Sequence, residues 1–395
     1  MVQVIGGVDP HADTIHVAAV TAVGKVLGDA EFPTTPEGYQ QALAFLTGLG
    51  EVIRVGVEGA ASYGAGISRA LQGAGIGVVE VERPTRSARR RRGKSDQLDA
   101  YHAARSVLAE RTSPVKDPAL DGLRALLSAY RSAVKAQTAA MNQIRSVLST
   151  SAPEPVRAKF RGLKGAALVK AVLACRTQFT DPLAADTMMG LKMLAERHRF
   201  LNRQQDQLSA RMDPLVTTLN PALRSAVVVG PFVAAQLLVT AGNNPDRLTG
   251  EGSFAALCGA APVPASSGKT RCFRLARGGD RRANHALHQM VLVRLRHDPT
   301  TQAYMKRHLD RGRSKKAVMR QLKRAVAREV FRHLTRPEPV PAVDDLRPAR
   351  QAKHLTLATV ADHFHTWPTV ISRIERGLQR NDQLATQYRA WLAAA

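Results

Sequence analysis

Between Val2 and about Phe32, apolar residues alternate with small or polar ones in three short runs, VIGGVD, TIHVAAVT and KVLGDAEF, punctuated by Gly and Asp. A period of two predicts three strands in a meander. A helical pattern follows at about Pro36 to Leu46, then the strand VIRVGVE, a helix from about Tyr63 to Gln72 and the strand GIGVVEVE. From Leu120 the spacing changes to alternating steps of three and four, through Leu123, Leu127, Tyr130, Val134, Gln137, Met141, Ile144 and Leu148. A second such seam runs through Leu194, His198, Leu201, Gln205, Leu208, Met212, Leu215 and Leu219. Two long helices that pair are expected, either antiparallel within one chain or zipped between chains, and the pattern does not choose. After Pro221 the chain reads as short helices broken by Gly and Pro. The stretch TRPEPVPAVDDLRPAR reads as a linker, and LTLATVADHFHTWPTVISRIERG as helix, short turn, helix.

These changes of period divide the chain into expected regions: 1–112 mixed α/β, 113–222 coiled-coil helices, 223–336 mostly helical, 337–350 linker and 351–395 a small terminal module. The fold class is α/β plus α. Three strands, helix, strand, helix, strand is the order of ribonuclease H-like domains, an analogy of fold that carries no function by itself. At 395 residues and 44% hydrophobic content the chain is long enough for two or three separate cores.

Charge narrows the partners. Lys and Arg total 57 against 32 acidic residues, a formal charge of +25, so a polyanion is expected and nucleic acid is favoured over a membrane. The sequence contains neither an apolar run of bilayer length nor a signal-peptide pattern, and a cytoplasmic location is expected. Cys175, Cys258 and Cys272 are too scattered for a disulfide framework, and the histidines, His285 and His288 included, lack zinc spacing. With aromatic residues at 5%, phosphate contacts rather than extensive base stacking should dominate.

Two constellations carry chemistry. Asp9 ends the first strand in GGVDPH and Glu58 ends the fourth in VGVEGA, so adjacent parallel strands present both at one sheet edge. Asp96 and Asp99, three apart at a helix start in KSDQLDA, share a face and can join them. Singly, each has a plainer reading as a cap or surface charge. Together they would repel one another unless a cation is shared, and Mg²⁺ or Mn²⁺ suits an all-oxygen shell. Two such ions could serve phosphoryl transfer. Just before them, RPTRSARRRRGK, with Arg89, Arg90, Arg91, Arg92 and Lys94, is expected to be a loop that touches phosphates.

The second constellation is PVPASSGKTRCFRLARGGDRRANHAL, where Ser267 precedes Gly268 among Lys269, Arg271, Arg274, Arg277, Arg281 and Arg282. The GKT is not a phosphate loop, because Val263 stands where that pattern requires Gly. A serine among guanidinium groups suits attack on a phosphodiester, whereas the bland alternative is a turn serine.

These residues resemble the DEDD transposases of the "one-ten" insertion-sequence family, described as bridge-RNA-guided recombinases. The resemblance covers nearly the whole chain. It matches Asp9, Glu58, Asp96 and Asp99 to the acidic set of a RuvC-like front domain. It also matches VVVGPFVAA, GAAP, Ser267-Gly268 and GGDRRAN to motifs of the family's second, transposase domain. It implies that Ser267, rather than the adjoining Ser266, is a nucleophile that links covalently to DNA, and that the carboxylates hold metal beside the scissile phosphate. It further implies a homo-oligomer, dimer or tetramer, assembled around a noncoding guide RNA on double-stranded DNA.

The terminal segment resembles the helix-turn-helix of repressor-type regulators, with Ala361 on the inner face, a turn near His365, and Thr369, Ser372, Arg373 and Arg376 on the second helix. A small helical cap is its alternative. Two rivals to the whole reading are a metal-only junction nuclease, with no covalent adduct, and a nonenzymatic DNA-binding regulator.

Overall fold

A computed structural model describes residues 1–81, 95–266, 273–276, 278–340, 342–379 and 381–394. It divides into two compact units, the first being Met1–Asp121 with Ala241–Phe254 and the second Gly122–Thr240 with Ala255–Ala395.

In the first unit, β1 (Gln3–Pro10), β2 (Thr14–Thr21) and β3 (Val26–Pro33) form the expected antiparallel meander. Next comes α1 (Pro36–Gly48), started by Pro36 and by Thr35, whose hydroxyl accepts from the Gly38 N–H. Then β4 (Glu51–Glu58) runs parallel to β1, and α2 (Ala65–Gly73) leads to β5 (Val78–Val81), parallel to β4. The helix α3 (Asp96–Leu108) is capped by Ser95, whose hydroxyl accepts from the Leu98 N–H at 3.2 Å. A short β6 (Thr112–Pro114) completes the sheet, in the order β3-β2-β1-β4-β5-β6.

Alternation along the central strands decides what each face carries. Val4, Val8, Val55 and Val57 join Leu46 of α1 and Ile67 and Leu71 of α2 in one core. Ile5, Ala18 and Val20 face the other way, against Ala100, Tyr101 and Ala104 of α3. By the same period of two, Gly7, Asp9, Gly56 and Glu58 lie on the α3 side. A Cβ on Gly7 would stand 2.2 Å from the Ala100 carbonyl oxygen and 2.3 Å from the Ala104 nitrogen, and one on Gly56 would stand 2.9 Å from the Ala103 carbonyl oxygen. The two glycines therefore let α3 lie directly on the sheet. A strap from far along the chain closes the β6 side: Asn243 donates to Asp117 (2.7 Å) and Asn244 to the Val115 carbonyl (3.1 Å). From the same strap Arg247 pairs with Glu80 (2.9 Å) and donates to the Pro114 carbonyl.

In the second unit, α4 (Leu120–Thr150) is followed by α5 (Glu154–Phe160), α6 (Gly165–Ala174) and α7 (Pro182–Leu219). Met141 and Ile144 of α4 share a core with α5, α6 and Met188, Leu191 and Ala195 of α7, while Gln137 donates to Asn202 at 3.0 Å. Early α4 residues thus face late α7 residues, and the long helices pair antiparallel within the chain. On α7 the expected seam is the inner face, with Leu201 and Met212 buried and only Leu215 exposed, while Val216 beside it is buried; ahead of the seam, burial follows Ala184, Met188, Leu191 and Ala195, where α5 and α6 cover the helix.

Beyond α8 (Pro221–Ser225) and α9 (Pro231–Ala241) come α10 (Glu251–Leu257) and the antiparallel hairpin of β7 (Pro262–Pro264) and β8 (Phe273–Leu275). Three helices follow, α11 (Arg281–His297), α12 (Pro299–Asp310) and α13 (Lys315–Thr335). The terminal module packs α14 (Leu346–Ala352), α15 (Leu357–His363), α16 (Pro368–Glu375) and α17 (Asp382–Ala394) around Val360, Ile371, Ile374 and Tyr388. The end of the segment read as a linker is thus a helix of this module. Arg350 on α14 donates to both Glu375 oxygens, at 2.7 and 3.1 Å, and Tyr388 donates to the same carboxylate at 2.9 Å. Among the described residues, no helix is long and apolar enough to cross a membrane.

Candidate active site

The strand register sets the acidic edge. Val8 is the parallel partner of Val57, so Asp9 and Glu58 are the next residues on neighbouring strands, at the end where both run out of the sheet. Both are buried, at 5% and 9% exposure, as is Asp99 at 8%, while Asp96 at the first turn of α3 is half exposed. The close seat of α3 on Gly7 brings its first turn over that edge. Asp29 on β3 ties the helix down: it accepts from Gln97 (2.8 Å) and Tyr101 (2.9 Å) of α3 and lies 2.8 Å from His16 Nε2. Burial acts to raise Asp29, but the hydrogen bonds from Gln97, His16 and Tyr101 outweigh it and hold the carboxyl below its ordinary value.

Asp9 behaves in the opposite way. Burial pushes its carboxyl up to about 6; His11 opposes the rise, and Glu58, Asp99 and Asp96 add to it. His11 Nε2 stands 3.4 Å from Asp9 Oδ2 and 3.1 Å from Asp96 Oδ1, and one ligand atom from each of the three residues falls within 4.8 Å of the others. Asp9 Oδ2 is buried with no hydrogen-bond partner among the described residues. A buried carboxylate oxygen that accepts no hydrogen bond, beside His11 and further carboxylates, is what a hard divalent cation satisfies, so these residues fit one. His11 was not singled out from the sequence. Its one signal there is its place two residues after Asp9, in a loop that turns back towards Asp96.

In the second unit, the motif residues of the hairpin region interlock through backbone. Gly259 has φ +60 and Gly279 φ +83, and a Cβ on Gly279 would stand 2.5 Å from the Ala256 carbonyl oxygen, so neither turn tolerates a side chain. Asp280 caps α11, accepting from the Arg282 and Ala283 N–H groups. Its other oxygen accepts from Thr240 at 2.7 Å; Thr240 accepts from Gln236 (3.1 Å), and Gln236 from Arg131 (2.7 Å). Arg274, Arg281 and Arg282 are exposed around this frame. Ser267, Lys269, Arg271 and Arg277 lie outside the described residues, as do Arg89, Arg90, Arg91, Arg92 and Lys94. In the terminal module Ala361 is fully buried, Thr369, Arg373 and Arg376 are exposed and Ser372 is half buried, with His365 at φ +49 between α15 and α16.

Two family models match the chain. One, for DEDD transposases of the IS110 type, covers residues 6–153 and hence all four carboxylates. The other, described as transposase of the IS116/IS110/IS902 family, covers residues 220–306, from α8 through the hairpin and α11 into α12. No curated protein matches the chain. With more than half of its length accounted for by two segments of one kind of enzyme, in the same order as the acidic edge and the glycine-framed hairpin, the protein belongs to the IS110 family of transposases, which act on DNA.

Proposed function

We propose that this transposase cuts and rejoins the DNA of an insertion sequence with Asp9, Glu58, Asp96 and Asp99 as metal-binding catalytic carboxylates and Ser267 as the nucleophile. The observation that carries the reading is the meeting of Asp9, His11 and Asp96 within 4.8 Å at the strand-end edge where Glu58 also ends its strand and Asp99 is buried close by, with Asp9 pushed up to about 6 by burial and by the neighbouring carboxylates. The strand order β3-β2-β1-β4-β5 supports a ribonuclease H-like, RuvC-like front domain.

Mg²⁺ or Mn²⁺ bound there would supply positive charge to the scissile phosphate. The protein's part is to orient and to move protons. Asp9 must lose its proton before it can act as a ligand, and His11, within 3.4 Å, is placed to exchange it. Ser267 Oγ would bond to phosphorus and give its proton to a neighbouring base, while the displaced deoxyribose oxygen takes up a proton and leaves as a hydroxyl. Attack by such a hydroxyl on the serine ester reverses the step, so rejoining needs no further energy source. Arg274, Arg281 and Arg282 are placed to meet phosphate charge.

The exposed Thr369 and Arg373 on α16 and Arg376 at its C-terminal cap, behind a left-handed turn at His365, support duplex reading by a helix-turn-helix, with Ser372 beside them. A noncoding guide RNA and assembly as a homo-oligomer, which the resemblance implies, complete this reading.

The test is a denaturant-quenched cleavage reaction. Protein should be trapped on one DNA end, the adduct should map to the Ser267 peptide, and Ser267→Ala should lose it while Ser266→Ala keeps it. Asp9→Asn, Glu58→Gln, Asp96→Asn and Asp99→Asn should each abolish cutting with the fold intact. Free hydroxyl ends and undiminished cutting by Ser267→Ala would replace the serine mechanism with metal-dependent hydrolysis.

A further inference from the structure

Beside the β7–β8 hairpin, between Gly259–Pro262 and one face of α13, lies a cleft of about 570 Å³. Six of its fourteen lining residues are Arg or Lys and none is acidic, so an anion is the only charged guest it favours. Its floor is apolar, made by Ala260, Ala261, Pro262, Ala317 and Ala325. At its edge stands Phe273, 60% exposed in a chain with few aromatic residues. A bare phosphate would use the cations and leave the ring and the floor idle. A guest with an anionic backbone and a flat apolar face uses all three.

The cations are arranged for a strand. Arg320, Arg324 and Arg328 recur at steps of four on α13, about 6 Å apart along the axis, a spacing that suits successive phosphates of an extended chain. Lys323 is fixed from behind. Its Nζ donates to Asn284 Oδ1 at 2.9 Å, and Asn284 in turn donates to the Cys258 and Gly259 carbonyls, both at 2.9 Å, so the ammonium is registered to the entrance of the hairpin. A free aromatic face can stack only on a base whose own face is free, which a continuous duplex does not offer.

We propose that this cleft binds an unpaired nucleotide strand, with Phe273 stacked on a base, Arg320, Arg324 and Arg328 along successive phosphates and Lys323 on the phosphate nearest the hairpin entrance. The inference deepens the reading of the hairpin as the strand-cutting segment, since it assigns the place where strand flanking the cut is held. Its binding chemistry does not depend on which residue cuts.

The experiment uses the full chain in chelator, so that no cutting occurs, with fluorescent ten-residue oligothymidylate and, separately, a duplex of similar length closed at both ends by linkers that carry no base. Phe273→Ala should weaken oligothymidylate binding by about five- to a hundredfold and leave the closed duplex within about twofold; Phe273→Trp should restore it. Lys323→Gln with Arg320→Gln should weaken both ligands and flatten the salt dependence of each. Equal losses on both ligands with Phe273→Ala, or no loss on either, overturn the proposal. A parallel oligouridylate series names the strand, because the same dependence on Phe273 with tighter binding of one chemistry assigns the cleft to that one. Since cutting is suppressed, the result stands whatever becomes of Ser267.

Discussion

The acidic edge of the first unit and the basic cleft of the second are both clusters of like charge, yet they are positioned by different means. At the edge, placement starts from backbone: strand register aligns Asp9 with Glu58, and two glycines seat α3 so that its first turn comes over them, with the Asp29 side chain then tying the helix down. In the second unit the relevant groups hang on chains of side-chain hydrogen bonds, Lys323 through Asn284, and the start of α11 through Asp280, Thr240, Gln236 and Arg131. The difference suits the partners. A small cation demands fixed ligand geometry, whereas a polymer of phosphates accepts cations that adjust.

Breaking the backbone placement should have the largest effect. Gly7→Ala puts a Cβ within 2.3 Å of two backbone atoms of α3. The helix must lift, at a cost of about 1–3 kcal/mol of stability and roughly a hundredfold in cleavage. Calorimetric melting and a cleavage time course check both, and a variant that melts and cuts normally would refute backbone positioning.

Next comes the charge strain at the edge. Asp9 titrates near 6 in the fold against an ordinary 3.8, so the folded chain keeps a proton that the unfolded chain has already lost. That stabilising contribution is complete below about pH 4 and disappears as pH rises through about 6. In chelator at pH 7.5, Asp9→Asn should therefore be more stable than the parent by about 2–3 kcal/mol, with the gap closing towards pH 4. Saturating Mn²⁺ should reverse the order, because only the parent gains from binding. Equal melting curves across that pH range would remove the strain.

A smaller loss is expected in the second unit. Thr240→Val deprives Gln236 and Asp280 of a shared partner and should cost about 1–2 kcal/mol, with closed-duplex affinity changed by less than about fivefold. The smallest effect sharpens the comparison by sign. Lys323→Gln should lower the slope of log affinity against log salt by about one, whereas Asp96→Asn should leave it unlowered. Equal slopes would mean that the cleft touches no phosphate.

The acidic set was legible in the sequence because each member sits at the end of a locally encoded element: a period of two up to Asp9 and to Glu58, and a capped helix start at Ser95. The residues that were missed depend on contacts far away in sequence. His11 is an ordinary histidine until the fold sets it between Asp9 and Asp96. The start of the terminal module was hidden by Pro and Asp around Leu346, and it is the burial of Leu346 together with the pairing of Arg350 with Glu375 that makes that stretch a packed helix. The seam expected on α7 begins only at Leu194, and the buried positions Ala184, Met188 and Leu191 ahead of it were missed because α5 and α6, short helices rather than one long partner, cover them. In one place the sequence reading changes weight rather than fails: few aromatic residues do forbid an extended stacking platform, but one exposed ring in a cationic cleft is a different object.

The strap Ala241–Phe254 has a consequence for how the protein can be taken apart. It belongs to the first unit although it is encoded between the helices and the hairpin of the second, so the chain passes from one unit to the other three times. A fragment ended at Asp121 would leave the β6 edge open and Glu80 without Arg247. Such a fragment should aggregate unless the fourteen-residue strap is grafted on or supplied as a peptide. The same threading bears on splitting the gene: a break between the two matched segments parts the first unit from its strap, so the two halves expressed separately should recover activity only when they are made together.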